Sequence, residues 1–396
     1  MLRPYQQEAF EAIQKDLHVP GNSIVRMPTA SGKSHAIAHT ATLVEHVLIL
    51  QPTQELLAQN MEKLSAIVGQ DEIGIYSASF NKKEIKKFTF ATIQSVYKKA
   101  DEFKHIKLVV VDECHMISIR SASSMYMDFF NAIGNPKVIG TTATPFRLEL
   151  GYNFKTADAL QITMLKLINR ARHKDAKEMF WKRIIFDVSH KYLLEHGYLS
   201  PLEYIDKPLL PYESIPVNIS RSDYNLEGFA NAIVGQQANI LSTIAEAQNR
   251  YTAVLVFCST VEQAEGLSKI IVGSKTVFGN TPTKERKQII ADFKSGKVKT
   301  VFNVGALVAG FDFPELDCVI LLRPTRSLVL YNQIVGRLVR IAPGKSCGTL
   351  IDFTGTYKAL GRIETFELYR NERGLWDLRT EKHDSWHDRI LFSRPL

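Results

Sequence analysis

The stretch IVRMPTASGKS, residues 24–34, begins as a short apolar run and ends in a glycine, a lysine and a serine. Its β-branched start predicts a buried strand. A strand that turns tightly into a helix directs backbone N–H groups and the helix N-terminus at one point, which binds phosphate. Gly32 would let the backbone approach, Lys33 would place its charge beside the β- and γ-phosphates, and Ser34 would ligate Mg²⁺. The predicted nucleotide contacts in this loop are Thr29, Ala30, Ser31, Gly32, Lys33 and Ser34.

A second apolar run, LVVV at residues 108–111, leads directly into Asp112 and Glu113. Carboxylates at the carboxyl end of a buried parallel strand project into the crevice where ligands bind. Asp112 would hold Mg²⁺, and Glu113 would polarise the attacking water as a general base. The alternative is an acidic helix start that follows a core strand. Because the strict phosphate-loop pattern has glycine where this chain has Met27, the two motifs support ATP and Mg²⁺ as ligands only together.

Short β-branched runs alternate with helical patterns twice along the chain. Continuous apolar runs of this kind are typical of buried parallel strands joined by crossover helices. The sequence therefore predicts an α/β fold with two domains, each a mostly parallel sheet flanked by helices. The predicted strands are Ile24–Met27, Val47–Leu50, Ile73–Tyr76, Thr89–Ala91, Leu108–Val111 and Val138–Gly140, then Val254–Phe257, Thr276–Phe278, Thr300–Asn303, Val319–Leu322 and Thr349–Phe353.

The segment between the two domains has a different composition, with helix formers first and an extended, proline-rich connector after them. Residues 155–191 hold nine Lys or Arg against four Asp or Glu, which indicates either a solvated helix face or a basic arm that contacts a nucleic-acid backbone. We expect domains at 1–150 and 250–365, a basic helical insertion and connector at 151–249, and a helical tail at 366–396. The tail carries Tyr369, Trp376 and Trp386, which would either form a stacking surface or pack a helix on the second domain.

Near the end of the second domain, Gln333, Arg337 and Arg340 stand at i, i+4 and i+7. On a helix these three side chains share one face, and two arginines on one face can clamp the γ-phosphate as charge spreads in the transition state. With the phosphate loop in one domain and these residues in the other, ATP is expected between them. Hydrolysis would then change the relative position of the domains.

Composition limits the class of protein. The chain of 396 residues is 45% hydrophobic and 23% charged, as in globular proteins, and its net charge of +8 is compatible with a phosphate-rich partner. The four cysteines have no metal-ligand spacing and show no disulfide framework. No signal peptide and no apolar stretch of about 18 residues is visible, so we expect a cytoplasmic protein without a membrane partner.

These motifs together resemble those of superfamily 2 helicases of the DExH type, from Leu2 to about Phe353. The motifs stand in the family's order along the chain: LRPYQ at 2–6 (adenine recognition), PTASGKS at 28–34 (motif I), QPTQEL at 51–56 (Ia), TIQS at 92–95 (Ib), DECH at 112–115 (II), TAT at 142–144 (III), VFCST at 256–260 (IV), GFDFP at 310–314 (V) and QIVGRLVR at 333–340 (VI).

The resemblance implies two RecA-like domains and a role for each motif. It implies that Arg3, Gln6, Gly310 and Asp312 contact the nucleotide, with Gln6 on the base and Asp312 near the ribose or the arginines. His115, Thr142 and Thr144 would couple the nucleotide site to the nucleic acid. The residues implied to contact the nucleic-acid backbone are Pro52, Thr53, Thr92, Gln94 and Ser259. The residues implied in catalysis are Lys33, Asp112, Glu113, Gln333, Arg337 and Arg340.

The start LRPYQ, the DECH box, EHGYLSP at 195–201 and IDF at 351–353 resemble one branch of the superfamily. That branch contains restriction-enzyme motor subunits and DNA repair or phage recombination helicases, which implies an ATP-dependent DNA helicase or translocase acting on duplex, forked or branched DNA. Recombination or repair proteins would be possible partners, although a monomer could suffice. The alternatives are an RNA helicase and an ATP-gated nucleic-acid-binding subunit of a larger complex.

Overall fold

The computed structural model describes residues 2–118, 124–153, 160–168, 179–218, 223–307, 311–386 and 390–395. Its strands are β1 Asn22–Arg26, β2 Val47–Leu50, β3 Ile73–Ser77, β4 Lys82–Lys83, β5 Phe88–Ala91, β6 Leu108–Asp112, β7 Lys137–Thr142, β8 Phe146–Asn153, β9 Leu160–Leu167, β10 Trp181–Asp187, β11 Leu202–Asp206, β12 Val254–Cys258, β13 Ser274–Phe278, β14 Thr300–Val304, β15 Cys318–Leu322, β16 Gly348–Asp352, β17 Glu367–Arg370, β18 Trp376–Arg379 and β19 Ile390–Pro395.

Its α-helices are α1 Pro4–Asp16, α2 Lys33–Ala41, α3 Gln54–Val68, α4 Ile93–Val96, α5 Met125–Ala132, α6 His190–Glu195, α7 Leu226–Ala232, α8 Gln237–Arg250, α9 Val261–Ile270, α10 Thr283–Lys294, α11 Leu328–Val335 and α12 Thr356–Leu360. The chain divides into two compact units. The first comprises Met1–Arg147 and Lys166–Ser189, and the second comprises Leu148–Leu165 and His190–Leu396.

The first unit is built on a sheet of eight strands in the order β10-β1-β7-β6-β2-β5-β3-β4. All its pairs are parallel except β3 with the short edge strand β4. The central strands are buried along their whole length because apolar residues face the helices on both sides. Parallel strands bring their carboxyl ends to one edge, and this places the loops after β1, β2, β5, β6 and β7 together.

The second unit contains a parallel sheet of six strands in the order β11-β16-β15-β12-β14-β13. A cluster of buried apolar side chains joins α8 and α9 to β12 and β15, and it includes Val256, Ile320 and Ile244. The predicted fold class, two mostly parallel α/β domains, is confirmed, and each predicted strand is present within two residues of its expected bounds.

The segment predicted as a separate insertion at 151–249 does not form a unit of its own. Strand β10 extends the first sheet beside β1, and β11 extends the second sheet beside β16. The β-branched pair Ile184 and Ile185 favours a strand at an edge where β1 offers unpaired backbone groups. The helix formers that precede this pair favour a helix instead, and that prediction is wrong for 181–187.

The prediction of a helical tail was also wrong. Residues 366–386 form an antiparallel hairpin of β17 and β18, and Trp386 is buried with its indole N–H donating to Thr380 Oγ1 across 3.1 Å. The side chains of Tyr369 and Trp376 lie under guanidinium groups of Arg379 and Arg370. Leu368 and Leu378 are buried and pair directly across the two strands, a contact between separate segments that the helical interpretation overlooked.

Two further features bear on the class of protein. Among the described residues, no helix combines the length and the apolar character that crossing a membrane requires. The four cysteines are free thiols, and Cys114, Cys258 and Cys318 are buried.

Candidate nucleotide and nucleic-acid sites

The phosphate loop joins β1 to α2 and has an unusual backbone. Ala30 and Gly32 take left-handed conformations with φ of 66° and 78°, and Gly32 caps the helix that begins at Lys33. A Cβ atom at Gly32 would lie 2.5 Å from Gln6 Nε2, so both the conformation and the close approach of Gln6 require glycine. The loop therefore presents the helix N-terminus to the solvent side of the sheet edge, as the sequence predicts.

The N-terminal residues hold this loop in place. Gln6 is buried, its Oε1 accepts from the backbone N–H of Arg3 at 2.9 Å, and its Nε2 donates to the Ser31 carbonyl at 3.0 Å. The Tyr5 hydroxyl donates to the same carbonyl at 2.6 Å. Gln6 thus joins the N-terminal segment to the loop, with its amide oxygen on Arg3 and its amide nitrogen on Ser31. The contact of Arg3 and Gln6 with the nucleotide stays a prediction.

Asp112 ends β6 and is almost entirely buried. Its Oδ1 accepts from the Thr141 hydroxyl and from the Glu113 N–H, both at 3.0 Å, and its Oδ2 accepts from Asn60 Nδ2 at 3.2 Å. Burial and the neighbouring Glu113 carboxylate raise the pKa of Asp112 to about 6, against the opposing effect of the Lys33 ammonium. Asn60 and Thr141 are partners that the sequence interpretation missed.

Glu113 leaves the strand through a left-handed turn with φ of 49°. Its Oε1 lies 3.5 Å from Lys33 Nζ, so the loop lysine and the predicted general base are adjacent. Burial acts to raise the pKa of Glu113, but the Lys33 charge and the contacts with His115 and Thr142 outweigh it and hold that pKa well below its usual range. Glu113 is therefore ionised near neutral pH, as a general base must be.

The three predicted coupling residues meet at this same carboxylate. His115 Nδ1 lies 2.8 Å from Thr142 Oγ1, 3.3 Å from Thr144 Oγ1 and 3.3 Å from Glu113 Oε2. The Thr142 hydroxyl also donates to Glu113 Oε2 at 3.3 Å. Any change in the conformation of residues 142–144 would therefore alter the partners of Glu113.

The residues present fit Mg²⁺. Carboxylate and hydroxyl oxygens are ligands that Mg²⁺ prefers, and Asp112 and Ser34 supply one of each. The Asp112 carboxylate is buried, and its nearest cation, Lys33, makes its ion pair with Glu113 instead. Burial and the Glu113 carboxylate raise the pKa of Asp112, and a divalent cation beside it would stabilise the ionised carboxylate.

Arg26 at the end of β1 is a second residue that the sequence interpretation missed. It is buried, and its Nη1 contacts Asp187 Oδ1 at 3.0 Å and the Val188 carbonyl at 2.8 Å. Its Nε donates to the Ala143 carbonyl at 3.3 Å. The guanidinium thus joins the strand before the phosphate loop to the 142–144 segment and to the end of β10.

The predicted arginines lie in the second unit, but not on a helix. Helix α11 ends at Val335, and Arg337 N–H bonds to the Ile334 carbonyl three residues back at 3.1 Å. Gly336 ends the helix because glycine has low helix propensity. The prediction that Gln333, Arg337 and Arg340 share one helical face was therefore wrong for the two arginines.

Both arginines bond to the segment that precedes them in the chain. Arg337 is buried and donates to the Phe311 carbonyl, and Arg340 pairs with the carboxylate of Asp312. Burial lowers the pKa of Arg340 to about 10, so the group stays charged at neutral pH. The structure brings Asp312 to one arginine, whereas Gly310 lies outside the described residues.

Comparisons with known proteins agree with this geometry. The family "Type III restriction enzyme, res subunit" matches residues 1–147, and "Helicase conserved C-terminal domain" matches residues 236–342. The first contains the phosphate loop and the Asp112–Glu113 pair, and the second contains Arg337 and Arg340. The chain belongs to helicase superfamily 2.

Similar proteins include IRC3 of Saccharomyces cerevisiae, named as a candidate ATP-dependent helicase, which is 25% identical over 385 residues, 90% of this chain and 52% of that protein. A fragment of a candidate HsdR subunit of a type I restriction enzyme from Vibrio vulnificus has a TM-score of 0.67 at 16% identity, covering 91% of this chain and 65% of that one. The type ISP restriction-modification enzyme LlaBIII, bound to DNA, has a TM-score of 0.62 at 15% identity, and the match covers 89% of this chain and 27% of that one. This superfamily 2 chain thus spans about half the length of its curated relative IRC3.

In superfamily 2 terms, motifs Ia and Ib follow β2 and β5 of the first unit. Thr53 is the N-cap of α3, and its Oγ1 accepts from the Leu56 N–H at 3.3 Å, which leaves the hydroxyl proton available to a phosphate oxygen. Thr92 is the N-cap of α4, with its Oγ1 2.9 Å from Ser95 Oγ. Gln94 is exposed and Pro52 is half-buried. These four predicted contacts lie at the carboxyl edge of the sheet.

Ser259 of motif IV is poorly placed for a phosphate contact. It is 4% exposed, and its hydroxyl donates to the Leu322 carbonyl at 2.8 Å, so the structure argues against that prediction. The next residue, Thr260, caps α9 and accepts from the Gln263 N–H at 3.1 Å, as Thr53 does in the first unit. The QPTQE and CSTVE stretches align on this threonine, a signal that we missed.

The basic segment 155–191 has a structural role in its described part. Arg183 Nε donates to Asp16 Oδ1 at 2.6 Å, and its Nη2 donates to the carbonyls of Val19 and Pro20. These contacts fasten β10 to the end of α1. Residues 169–178, which include Arg170, Arg172, Lys174 and Lys177, lie outside the described residues.

Proposed function

We propose that this superfamily 2 chain is an ATP-driven DNA motor, a helicase or translocase that remodels duplex or branched DNA. The observation that carries the proposal is the cluster at Glu113. The carboxylate of Glu113 contacts Lys33 on one side and His115 and Thr142 on the other. The Glu113 side chain therefore contacts both the phosphate loop and motif III, and coupling of hydrolysis to movement requires such a link between the two.

The proposed chemistry assigns each residue one task. Lys33 and the N–H groups of residues 29–34 bind the phosphates of ATP, and Ser34 and Asp112 hold Mg²⁺, which neutralises phosphate charge when bound. Glu113 accepts the proton of the attacking water. For Arg337 and Arg340 we propose the role that the resemblance implies, stabilisation of the charge that develops on the γ-phosphate, with Gln333 positioning the nucleotide.

DNA is proposed as the partner on two grounds. The LRPYQ, DECH and EHGYLSP stretches resemble the branch with restriction-enzyme motor subunits, and the match of residues 1–147 to a restriction enzyme subunit family points the same way. LlaBIII is described as bound to DNA, and we carry that partner over as a proposal only.

A translocation assay tests the motor. The protein is incubated with ATP in separate reactions that contain a DNA duplex with a third strand bound in its major groove, a labelled forked DNA duplex, or a labelled RNA duplex. We expect release of the third strand or of the forked strand with ATP, and none with the Lys33→Ala variant. Hydrolysis stimulated by DNA without release of any strand would instead indicate an ATP-gated binding subunit. Release from an RNA duplex alone would indicate an RNA helicase.

A further inference from the structure

The edge of the first sheet carries a group of lysines outside every motif described above. The stretch NKKEIKKF, residues 81–88, forms the turn around β4, and Lys98 and Lys99 follow helix α4. We define the lysine edge by five exposed side chains. These are Lys82, Lys83, Lys86, Lys98 and Lys99.

The backbone under the lysine edge is fixed by the sheet. Lys82 and Lys83 pair with Ser77 and Tyr76 of β3, and the Glu84 N–H donates to the Ile75 carbonyl at 2.9 Å. A Cβ atom at Gly74 would lie 2.4 Å from the Glu84 carbonyl oxygen, so glycine permits this close approach. The backbone that carries Lys82 and Lys83 is thus already ordered, so binding a ligand would cost entropy of the lysine side chains but little of the backbone.

The same edge is attached to motif Ib. The Ala78 N–H, in the turn that leads to β4, donates to Ser95 Oγ at 3.2 Å. Ser95 Oγ in turn lies 2.9 Å from Thr92 Oγ1, the hydroxyl implied to contact nucleic acid. The turn and the motif Ib helix thus form one connected surface.

The charge of the lysine edge is not compensated by acidic side chains. Within the described residues, none of the five lysines forms an ion pair, whereas neighbouring Lys87 pairs with Glu45 at 3.3 Å and Lys104 with Asp101 at 2.7 Å. Glu102, the acid closest to Tyr76, accepts the hydrogen bond of the Tyr76 hydroxyl at 3.1 Å. The neutral hydroxyl leaves the charge of Glu102 in place, so five positive charges stand beside two carboxylates, Glu84 and Glu102, that pair with none of them in the described part of the chain. This excess of positive charge favours a polyanion.

We propose that the lysine edge binds the phosphate backbone of the nucleic acid that motifs Ia and Ib hold, and extends that contact beyond the motifs. This rests on the proposed function. Lysines act as point charges on phosphates, so the contact is independent of base sequence and is weakened by salt through counterion release. The lysine edge would therefore contribute affinity and length of bound nucleic acid, and no part of the hydrolysis chemistry.

The test compares variants of the lysine edge with a matched control, all in the full chain. The lysine-edge variants are a triple variant, Lys82→Gln with Lys83→Gln and Lys86→Gln, and a double variant, Lys98→Gln with Lys99→Gln. The matched control removes three charges elsewhere on the first unit, at exposed Lys15, Lys104 and Lys107. Fluorescence anisotropy measures the affinity for labelled forked DNA and single-stranded RNA over a series of salt concentrations.

We expect the triple variant to bind forked DNA at least about tenfold more weakly near 0.1 M salt, because each lost phosphate contact changes the slope of log K against log salt by about 0.7–0.9. The slope should become shallower by about 2 to 3 units for the triple variant and by about 1.5 to 2 units for the double variant. The control should keep the slope of the wild type, and ATP turnover without nucleic acid should stay unchanged in all of them.

If the slope of log K against log salt is the same for the wild type and for the triple and double variants, the lysine edge does not bind nucleic acid. That result would not affect the proposed motor function. Equal losses in the control and in the triple variant would also overturn it, since net charge rather than this surface would then determine affinity. A wild type that binds none of the probes would overturn the proposed function, and the lysine edge with it.

Discussion

The side-chain amide of Asn60 donates to Oδ2 of Asp112 across 3.2 Å and joins helix α3 to the carboxylate proposed to hold Mg²⁺. Helix α3 begins immediately after Thr53, the motif Ia threonine. One helix therefore carries a proposed nucleic-acid contact at its N-terminus and a support for the metal carboxylate two turns later. Asn60 is in this account a positioning residue.

Replacing Asn60 with alanine should raise the Mg²⁺ concentration needed for half-maximal turnover by about 10-fold or more, because residues that orient metal ligands typically contribute 10- to 100-fold. ATP binding without Mg²⁺ should change little. The measurement is a magnesium titration of ATP turnover together with nucleotide binding in the presence of a chelator. The control is Gln54→Ala on the exposed face of the same helix, and an unchanged magnesium titration for Asn60→Ala would contradict the role.

Replacing Glu113 with glutamine should leave nucleotide binding nearly intact and lower turnover by about 10²- to 10⁴-fold, since the amide cannot accept the proton of water. The change also removes the negative charge beside Lys33, so ATP affinity should rise slightly rather than fall. Single-turnover kinetics with a fluorescent nucleotide separate the two effects. Turnover near that of the wild type would remove Glu113 from the role of base.

Arg337→Ala and Arg340→Ala should lower turnover by about 10³-fold or more and nucleotide affinity much less, as expected for charges that act on the transition state. Arg337 is buried and bonds to the Phe311 carbonyl, so Arg337→Lys serves as a variant that keeps the charge but loses the fork of donors. Equal losses in affinity and in turnover would show that the arginines serve binding only.

The motif IV threonine yields a prediction that separates two adjacent residues. Thr53 and Thr260 have φ and ψ of −135° and 161°, and −132° and 161°, and each caps a helix. Thr260→Ser keeps the cap and the hydroxyl, whereas Thr260→Ala loses both and costs about 1 kcal/mol of stability. We expect Thr260→Ala to weaken DNA binding and Thr260→Ser to preserve it. If Ser259→Ala weakens binding more than Thr260→Ala does, the motif IV contact belongs to Ser259.

Sequence patterns predict the parts of this fold that local chemistry decides. Parallel strands read as apolar runs, and their carboxyl ends must meet at one edge, so the proximity of Lys33 to Glu113 follows from two short motifs. The cluster of His115 with Thr142 and Thr144 agrees with the roles implied by the resemblance, because motifs II and III follow neighbouring strands.

Other parts depend on packing that periodicity does not report. The bond from Asn60 to Asp112 depends on the rotation of α3 about its axis, and the bonds of Arg26 depend on which strand pairs with β1 at the edge. A single glycine decides that α11 ends before Arg337. Ser259 is buried, whereas the next residue, Thr260, is partly exposed. Matching a motif does not show which of two adjacent hydroxyl residues faces the solvent.

The rate of ATP hydrolysis with different nucleic acids decides whether this chain is a DNA motor. It is measured without nucleic acid, then with single-stranded, duplex and forked or four-way DNA, and with single-stranded and duplex RNA, using Lys33→Ala as the control for contaminating activity. We expect low basal turnover and strong stimulation by duplex or branched DNA in the wild type, and no turnover in the Lys33→Ala variant. Stimulation by RNA alone, or by no nucleic acid at all, would contradict a DNA motor.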